Sequence, residues 1–277
     1  MEKKGFKWQM CVGAVFMIII IISLFLPSMS ISGEKYLKTA VQINKYAKDE
    51  DSKTAKKAQV DKKVIDKYKE MKNKGIKNLL IDLGGVLINL DRQRCIENFQ
   101  KLGLRNVEDL LDIHNPNGLL MQQEKGLITP AEFRDGVRKM IGKAVSDKQI
   151  DAAWNSFLVD IPTQKLDLLL KLREKYVVYL LSNTNQIHWE WTCAHLFPYR
   201  TFKVEDYFEK TYLSFEMKMA KPEPEIFKAV TEDAGIDPKE TFFIDDSEIN
   251  CKVAQELGIS TYTPKAGEDW SHLFRKK

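Results

Sequence analysis

The sequence predicts an α/β protein: a doubly wound parallel sheet with an inserted α-helical cap and a transmembrane-like helix near the N-terminus. Three observations predict it. The run Asn78-Leu79-Leu80-Ile81 reads as a strand buried on both faces, as in a parallel sheet. From Pro162 onward, short apolar segments alternate with helical patterns, which implies right-handed crossovers between parallel strands. Between these two regions, residues 92–160 carry helix signals and no strand pattern. The expected organisation is a hydrophobic segment (1–32), a lysine-rich tether (33–75), a core from 76–90 and 162–277, and a helical cap (91–161).

The N-terminal segment comes first. No charge occurs between Lys7 and Glu34, and Met10 to Leu26 is almost wholly apolar, with five consecutive isoleucines. Seventeen residues sit at the short end of the roughly 17–25 that span a bilayer. Apolar side chains surround every face, so a water-facing stripe is missing. A single-pass anchor and a signal peptide cleaved after Ser30 or Ser32 both fit, and the length of the run favours the anchor. The lysines on its two sides nearly balance, so they set no orientation. Residues 35–74 read as a solvated tether, with a helix plausible over 53–72. Met71 offers a third reading: a start there would make a cytosolic enzyme whose first strand follows at once.

Charge divides along the chain. The whole carries +4, yet residues 33–78 hold 14 lysines against 7 acids, and residues 79–277 are mildly acidic. An acidic main body argues against nucleic acid as a partner. Four cysteines without a CxxC pair exclude a zinc ribbon and a disulfide scaffold, and the three that would remain after signal cleavage, Cys95, Cys193 and Cys251, read as free thiols.

The cap helices have readable ends. Asp91 can cap a helix that runs through Phe99 and ends near Gly103. Asn115-Pro116-Asn117-Gly118 is a turn. Thr129-Pro130-Ala131-Glu132 joins a capping box to a proline at the first helical position, and Ser146 to Gln149 is a second capping box. In the core, helix 163–175 leads to strand 176–181, and an apolar segment follows near 211–213. Helix 225–234 then leads to strand 241–244, and helix 248–257 to strand 259–262.

Ligands of an open parallel sheet bind at the C-terminal strand ends. Four motifs fall at such ends or just before a helix: Asp82-Leu83-Gly84-Gly85-Val86-Leu87, Leu181-Ser182-Asn183-Thr184-Asn185, Lys221-Pro222, and Ile244-Asp245-Asp246-Ser247. Three carboxylates on neighbouring strands repel one another unless a cation sits among them, and hard oxygen donors suit Mg²⁺. Ser182 and the N–H groups after it can bind phosphate oxygens, and Lys221 adds positive charge for the same anion. A carboxylate facing a phosphoryl group so neutralised can attack it covalently.

These four motifs, in this order, resemble those of the haloacid dehalogenase superfamily over roughly residues 76–275. Within it, Asp-Leu-Gly at 82–84, Gln123-Glu124-Lys125-Gly126-Leu127-Ile128-Thr129 and Leu181 to Asn185 are similar to the glucose-1-phosphate phosphatase kind. The resemblance implies Asp82 as nucleophile, Asp246 as a direct Mg²⁺ ligand, and Asp245 as ligand or supporting partner. It implies the Gly84 carbonyl as a further ligand, Ser182 and the Asn183 amide on phosphate, and Lys221 bridging nucleophile and phosphate. It departs at one place. Most phosphatases of the family carry a second aspartate, a general acid/base, where this chain has Gly84. Asp91 is a candidate substitute, although the helix cap already accounts for it.

The expected activity is Mg²⁺-dependent hydrolysis of small phosphorylated metabolites, sugar phosphates foremost, through an aspartyl-phosphate. Two other readings compete. A haloacid dehalogenase needs no second aspartate, but it leaves Asp245 and Asp246 without a purpose. A non-catalytic phosphate-binding module at the membrane would follow from Gly84 and the tether.

Overall fold

The computed structural model describes residues 75–265 and 267–274. The anchor expected at 10–26, the helix expected over 53–72 and all of the tether but Gly75 lie outside the described residues. Among the described residues, no helix is long and apolar enough to cross a membrane.

The first half of the described chain runs β1 (Asn78–Ile81), β2 (Asn89–Leu90), α1 (Arg92–Leu102), α2 (Val107–Leu110), α3 (Leu119–Glu124), α4 (Pro130–Ile141), α5 (Asp147–Asn155) and β3 (Leu158–Asp160). The second half runs α6 (Thr163–Arg173), β4 (Val177–Ser182), α7 (Gln186–His195), α8 (Val204–Tyr207), β5 (Lys210–Leu213), α9 (Ser214–Met217), α10 (Pro224–Ala234), β6 (Thr241–Ile244), α11 (Glu248–Glu256) and β7 (Ser260–Tyr262). The five-stranded sheet has the order β5-β4-β1-β6-β7, and every pairing in it is parallel.

β1 sits at the centre, with Ile81 opposite Leu180 on one side and Ile244 on the other. All four of its residues are buried, because helices cover both faces. Alternate strand residues face opposite sides. Leu80, Leu181 and Phe243 pack with Ile226, Phe227 and Val230 of α10 and with Cys251 and Ala254 of α11. A fully buried leucine or phenylalanine of this kind contributes roughly 1.5–3 kcal/mol. This sheet core places the ends of β1, β4 and β6 side by side.

The helical segment builds a second apolar cluster from Phe99, Val107, Phe133, Val137, Ile150 and Trp154. Its helix ends form where the sequence signals them. The Asp91 carboxylate accepts from Arg94 N–H at 2.8 Å, and α1 stops at Gly103, whose φ of 103° suits glycine. Thr129 with Glu132, and Ser146 with Gln149, form complete capping boxes.

One expectation needs correction. Strand structure does occur at the ends of the helical stretch: β2 and β3 pair antiparallel, and Asn89 Nδ2 donates to Asp160 Oδ1 at 2.8 Å. Two and three residues are too few to show alternation, so only the pairing across some seventy residues of chain reveals this ribbon.

The three described cysteines, Cys95, Cys193 and Cys251, are free thiols as expected.

Candidate active site

The strand ends converge on a cluster of charge. Asp82 follows β1 and is 7% exposed; Asp245 follows β6 and is fully buried; Asp246, next to it, is open to solvent. One oxygen of each carboxylate lies within 4.8 Å of the others. Asp82 N–H donates to Ile244 O at 2.9 Å, extending the sheet by one residue and setting the two aspartates at the same height. The chain then turns sharply, with the Leu87 and Ile88 N–H groups both donating to Leu83 O. Gly85 lies in this turn at φ 72°, and a Cβ there would stand 2.2 Å from Asp246 Oδ2. Only glycine lets the Asp246 carboxylate approach so closely.

Lys221 enters the cluster from the loop before α10. Its Nζ donates to Asp82 Oδ1 at 2.7 Å, to Asp245 Oδ2 at 2.6 Å and to Leu181 O at 2.9 Å. Three donors meet three acceptors, so the buried ammonium is fully satisfied. Asn183 holds the lysine in place: its Nδ2 donates to Lys221 O at 2.8 Å, and its Oδ1 accepts from Lys221 N–H at 2.9 Å. The side chain of Asn183 is thus committed to Lys221, and any phosphate contact falls to its main-chain N–H.

Asp245 is held on every side. Besides Lys221, its oxygens accept from Ser247 N–H at 2.8 Å and from Asn250 Nδ2 at 3.0 Å. Asp82 keeps its second oxygen without a hydrogen bond from any described residue. Ser182 is buried at the end of β4, and its hydroxyl makes only a long 3.3 Å contact to Asn183 O. Ser214 fixes the following residue, accepting from Thr184 N–H and donating to Thr184 O, both at 3.0 Å.

The electrostatics follow from burial and neighbours. Burial pushes the Asp82 carboxyl up to about 7; Lys221 opposes the shift, and Asp245 adds to it. Burial disfavours the Lys221 ammonium, but Asp82 and Asp245 outweigh it and hold the lysine above its ordinary value. Desolvation and the neighbouring Asp245 also raise Asp246. Three carboxylates facing one ammonium leave surplus negative charge. That surplus, with hard oxygen donors in reach of one another, fits a small divalent cation such as Mg²⁺.

Of the residues expected from the sequence, Asp82, Lys221, Asp245 and Asp246 meet directly and Asn183 joins through Lys221, while Ser182 ends β4 and Gly84 lies in the turn after β1. Asp91 stays with its helix cap. Sequence reasoning missed Asn250 and Ser214, which touch the site only through Asp245 and Thr184. Asn250 stands in the first turn of α11, and nothing in its local sequence signals that role.

Known proteins share this organisation. A family model described as haloacid dehalogenase-like hydrolase matches residues 76–258. A D-ribitol-5-phosphate phosphatase of Bacteroides thetaiotaomicron is 37% identical over 195 residues, covering 70% of this chain and 95% of that protein. A HAD family enzyme from the same organism, crystallised with magnesium and inorganic phosphate, is 85% identical, with a TM-score of 0.71 over 73% of this chain and 100% of that one. A HAD-like family hydrolase from Porphyromonas gingivalis is 37% identical, with a TM-score of 0.66 over 71% and 94%. With Asp82, Lys221, Asp245 and Asp246 assembled into one charged cluster, the chain belongs to the haloacid dehalogenase-like hydrolases.

Proposed function

We propose that this hydrolase is a Mg²⁺-dependent phosphatase of small phosphorylated sugars or polyols, working through an aspartyl-phosphate. One observation carries the reading. The Asp82 carboxylate is pinned 2.7 Å from the Lys221 ammonium, within reach of Asp245 and Asp246, and it keeps one oxygen free. That is the arrangement of an oriented anionic nucleophile beside a positive charge that can receive a phosphoryl group.

The residues then take these parts. Asp82 attacks phosphorus, and Lys221 holds the attacking carboxylate and balances the oxygens of the transferring group. The Ser182 hydroxyl and the Asn183 main-chain N–H take phosphate oxygens. Asp82, Asp246 and the Gly84 carbonyl would hold Mg²⁺, which when bound neutralises carboxylate and phosphate charge together. Asp245 orders the site by gripping Lys221 while Ser247 and Asn250 grip it. Residues 91–161 act as a cap over the strand ends and supply the contacts that select the substrate.

The relatives support this choice of chemistry: one acts on D-ribitol 5-phosphate, and another binds magnesium and phosphate together. Dehalogenation would leave the solvent-facing Asp246 carboxylate without a task, since only Asp245 is committed to Lys221. Attachment to a membrane through residues 10–26 rests on the sequence run alone. The mass of the mature N-terminus tests it, since starts at Met1, near Ile31 or at Met71 separate anchored, exported and cytosolic forms.

The deciding experiment is phosphate release from a panel of sugar and polyol phosphates, with Mg²⁺ and with EDTA. Turnover should need the metal, and Asp82→Asn should lose more than about 10⁴-fold while keeping its circular dichroism. No turnover on any substrate, or turnover indifferent to EDTA, would overturn the reading.

A further inference from the structure

Resting on that reading, the remaining question is which group moves the proton where Gly84 stands. A Cβ at Gly84 would meet Leu90 Cδ1 at 3.3 Å, so an apolar side chain lies where an acid at that position would start. Asp91 is engaged at Arg94 N–H. Asp245 is saturated by Lys221, Ser247 and Asn250.

Glu124 is the group left over. It is the last residue of α3, half-buried, and its carboxyl has no hydrogen-bond partner among the described residues. The turn after it is fastened to the segment that carries Lys221. Lys125 forms an ion pair with Glu223, and Lys218 Nζ donates to Gly126 O. Gly126, at φ 57°, lies so close that a Cβ would stand 2.1 Å from Phe215 O. These three anchors on residues 215–223 bring α3 down onto the loop that holds the lysine. The charge acting on Glu124 is the Lys221 ammonium, whose nitrogen is itself 2.7 Å from Asp82.

From this placement we propose that Glu124 is the general acid/base of the reaction, supplied by the helical segment. As Asp82 Oδ bonds to phosphorus and the ester P–O bond breaks, the Glu124 carboxyl gives its proton to the leaving alkoxide, which departs as the alcohol. The Glu124 carboxylate then takes a proton from water. That water's oxygen bonds to phosphorus, the Asp82–phosphorus bond breaks, and inorganic phosphate leaves with Glu124 protonated again. Burial, against the opposing pull of Lys221, raises the Glu124 carboxyl to about 7, so both forms are available near neutrality.

The test compares wild type, Glu124→Gln and Glu124→Asp, each full-length with Mg²⁺, on a polyol phosphate and on p-nitrophenyl phosphate. The aryl leaving group needs little help from an acid. Glu124→Gln should lose roughly 10²–10⁴-fold in kcat on the polyol phosphate. On the aryl ester it should release about one equivalent of nitrophenol per site in a burst close to the wild-type rate, then turn over slowly, because water attack has lost its base. Glu124→Asp should keep the same leaving-group dependence with a smaller loss, and the Mg²⁺ requirement should match wild type. Equal losses on both esters in kcat/KM, which reads leaving-group departure and not the shared water attack, no loss on either, or a Glu124→Gln variant without a burst would overturn the assignment. Wild-type enzyme inactive on both esters would instead bring down the phosphatase reading and this inference together. An active wild type whose rates are indifferent to position 124 brings down the inference alone.

Discussion

Two polar clusters in this molecule are built on opposite principles. At the strand ends, Asp82, Asp245 and Asp246 face one ammonium, Lys221, so the cluster keeps uncompensated negative charge and an unused Asp82 oxygen. At the meeting of α5 and α7, Trp154, Asn185 and His188 are joined through neutral groups alone. Trp154 Nε1 donates to Asn185 Oδ1 at 3.3 Å, and Asn185 Nδ2 lies 3.1 Å from His188 Nδ1. His188 Nε2 lies 3.1 Å from Trp154 O, which assigns the ring as neutral with its proton on Nε2. The indole and imidazole stack at 4.6 Å. The neutral network joins two helices and carries no surplus charge. The open one is held rigid yet chemically unfinished, as expected of a site that must receive a cation and an anion.

The contrast can be broken experimentally. The largest effect is expected from Lys221→Met. It should cut turnover by at least about 10³-fold and cost about 3–5 kcal/mol, since Asp82 and Asp245 would remain buried without their counter-charge. Phosphate release and urea denaturation read the two losses, and unchanged stability would mean that the lysine does not hold the cluster together. Next is Trp154→Ala, which empties the apolar cluster and opens the neutral network. It should cost about 3–5 kcal/mol in urea, yet lower activity per folded molecule far less than Lys221→Met does.

A pH series sharpens the same comparison. Burial lowers His188 to about 4, and its bond to Trp154 O opposes the shift. The unfolded chain therefore binds this proton at a higher pH than the folded one. The contribution is complete above about 6.5 and is lost as pH falls toward about 4, up to about 3 kcal/mol in all. Wild type should lose stability across that window and His188→Gln should lose less; parallel curves would show that the ring is not held neutral. The smallest effect belongs to a local feature. Thr129→Ala removes the hydroxyl that accepts from Glu132 N–H and donates to the Glu132 carboxylate at the start of α4, and should cost about 1 kcal/mol, with kcat unchanged within about twofold.

Local signals were legible wherever the physics is local. Each capping box, the glycine stop of α1 and the buried run at β1 formed where residue type and spacing put them. The strand-end positions of Asp82, Ser182 and Asp246 were also legible, because a parallel sheet carries its chemistry there whatever the loops do. The β2–β3 ribbon was not, since two or three residues carry no period. Nor was the clamp of the Asn183 side chain on Lys221, which joins residues 38 positions apart.

The sequence by itself determined which residue types stand at which strand ends, and so the class of chemistry. Periodicity and caps depend on neighbours a few positions away, and those are written in the chain. Tertiary structure alone decided which carboxylate oxygen stays free, which amide grips the lysine, and that the turn after α3 is fastened to residues 215–223. Lys221 meets Asp82 across 139 residues of chain, and packing sets side-chain pairings over such separations. No local propensity encodes them.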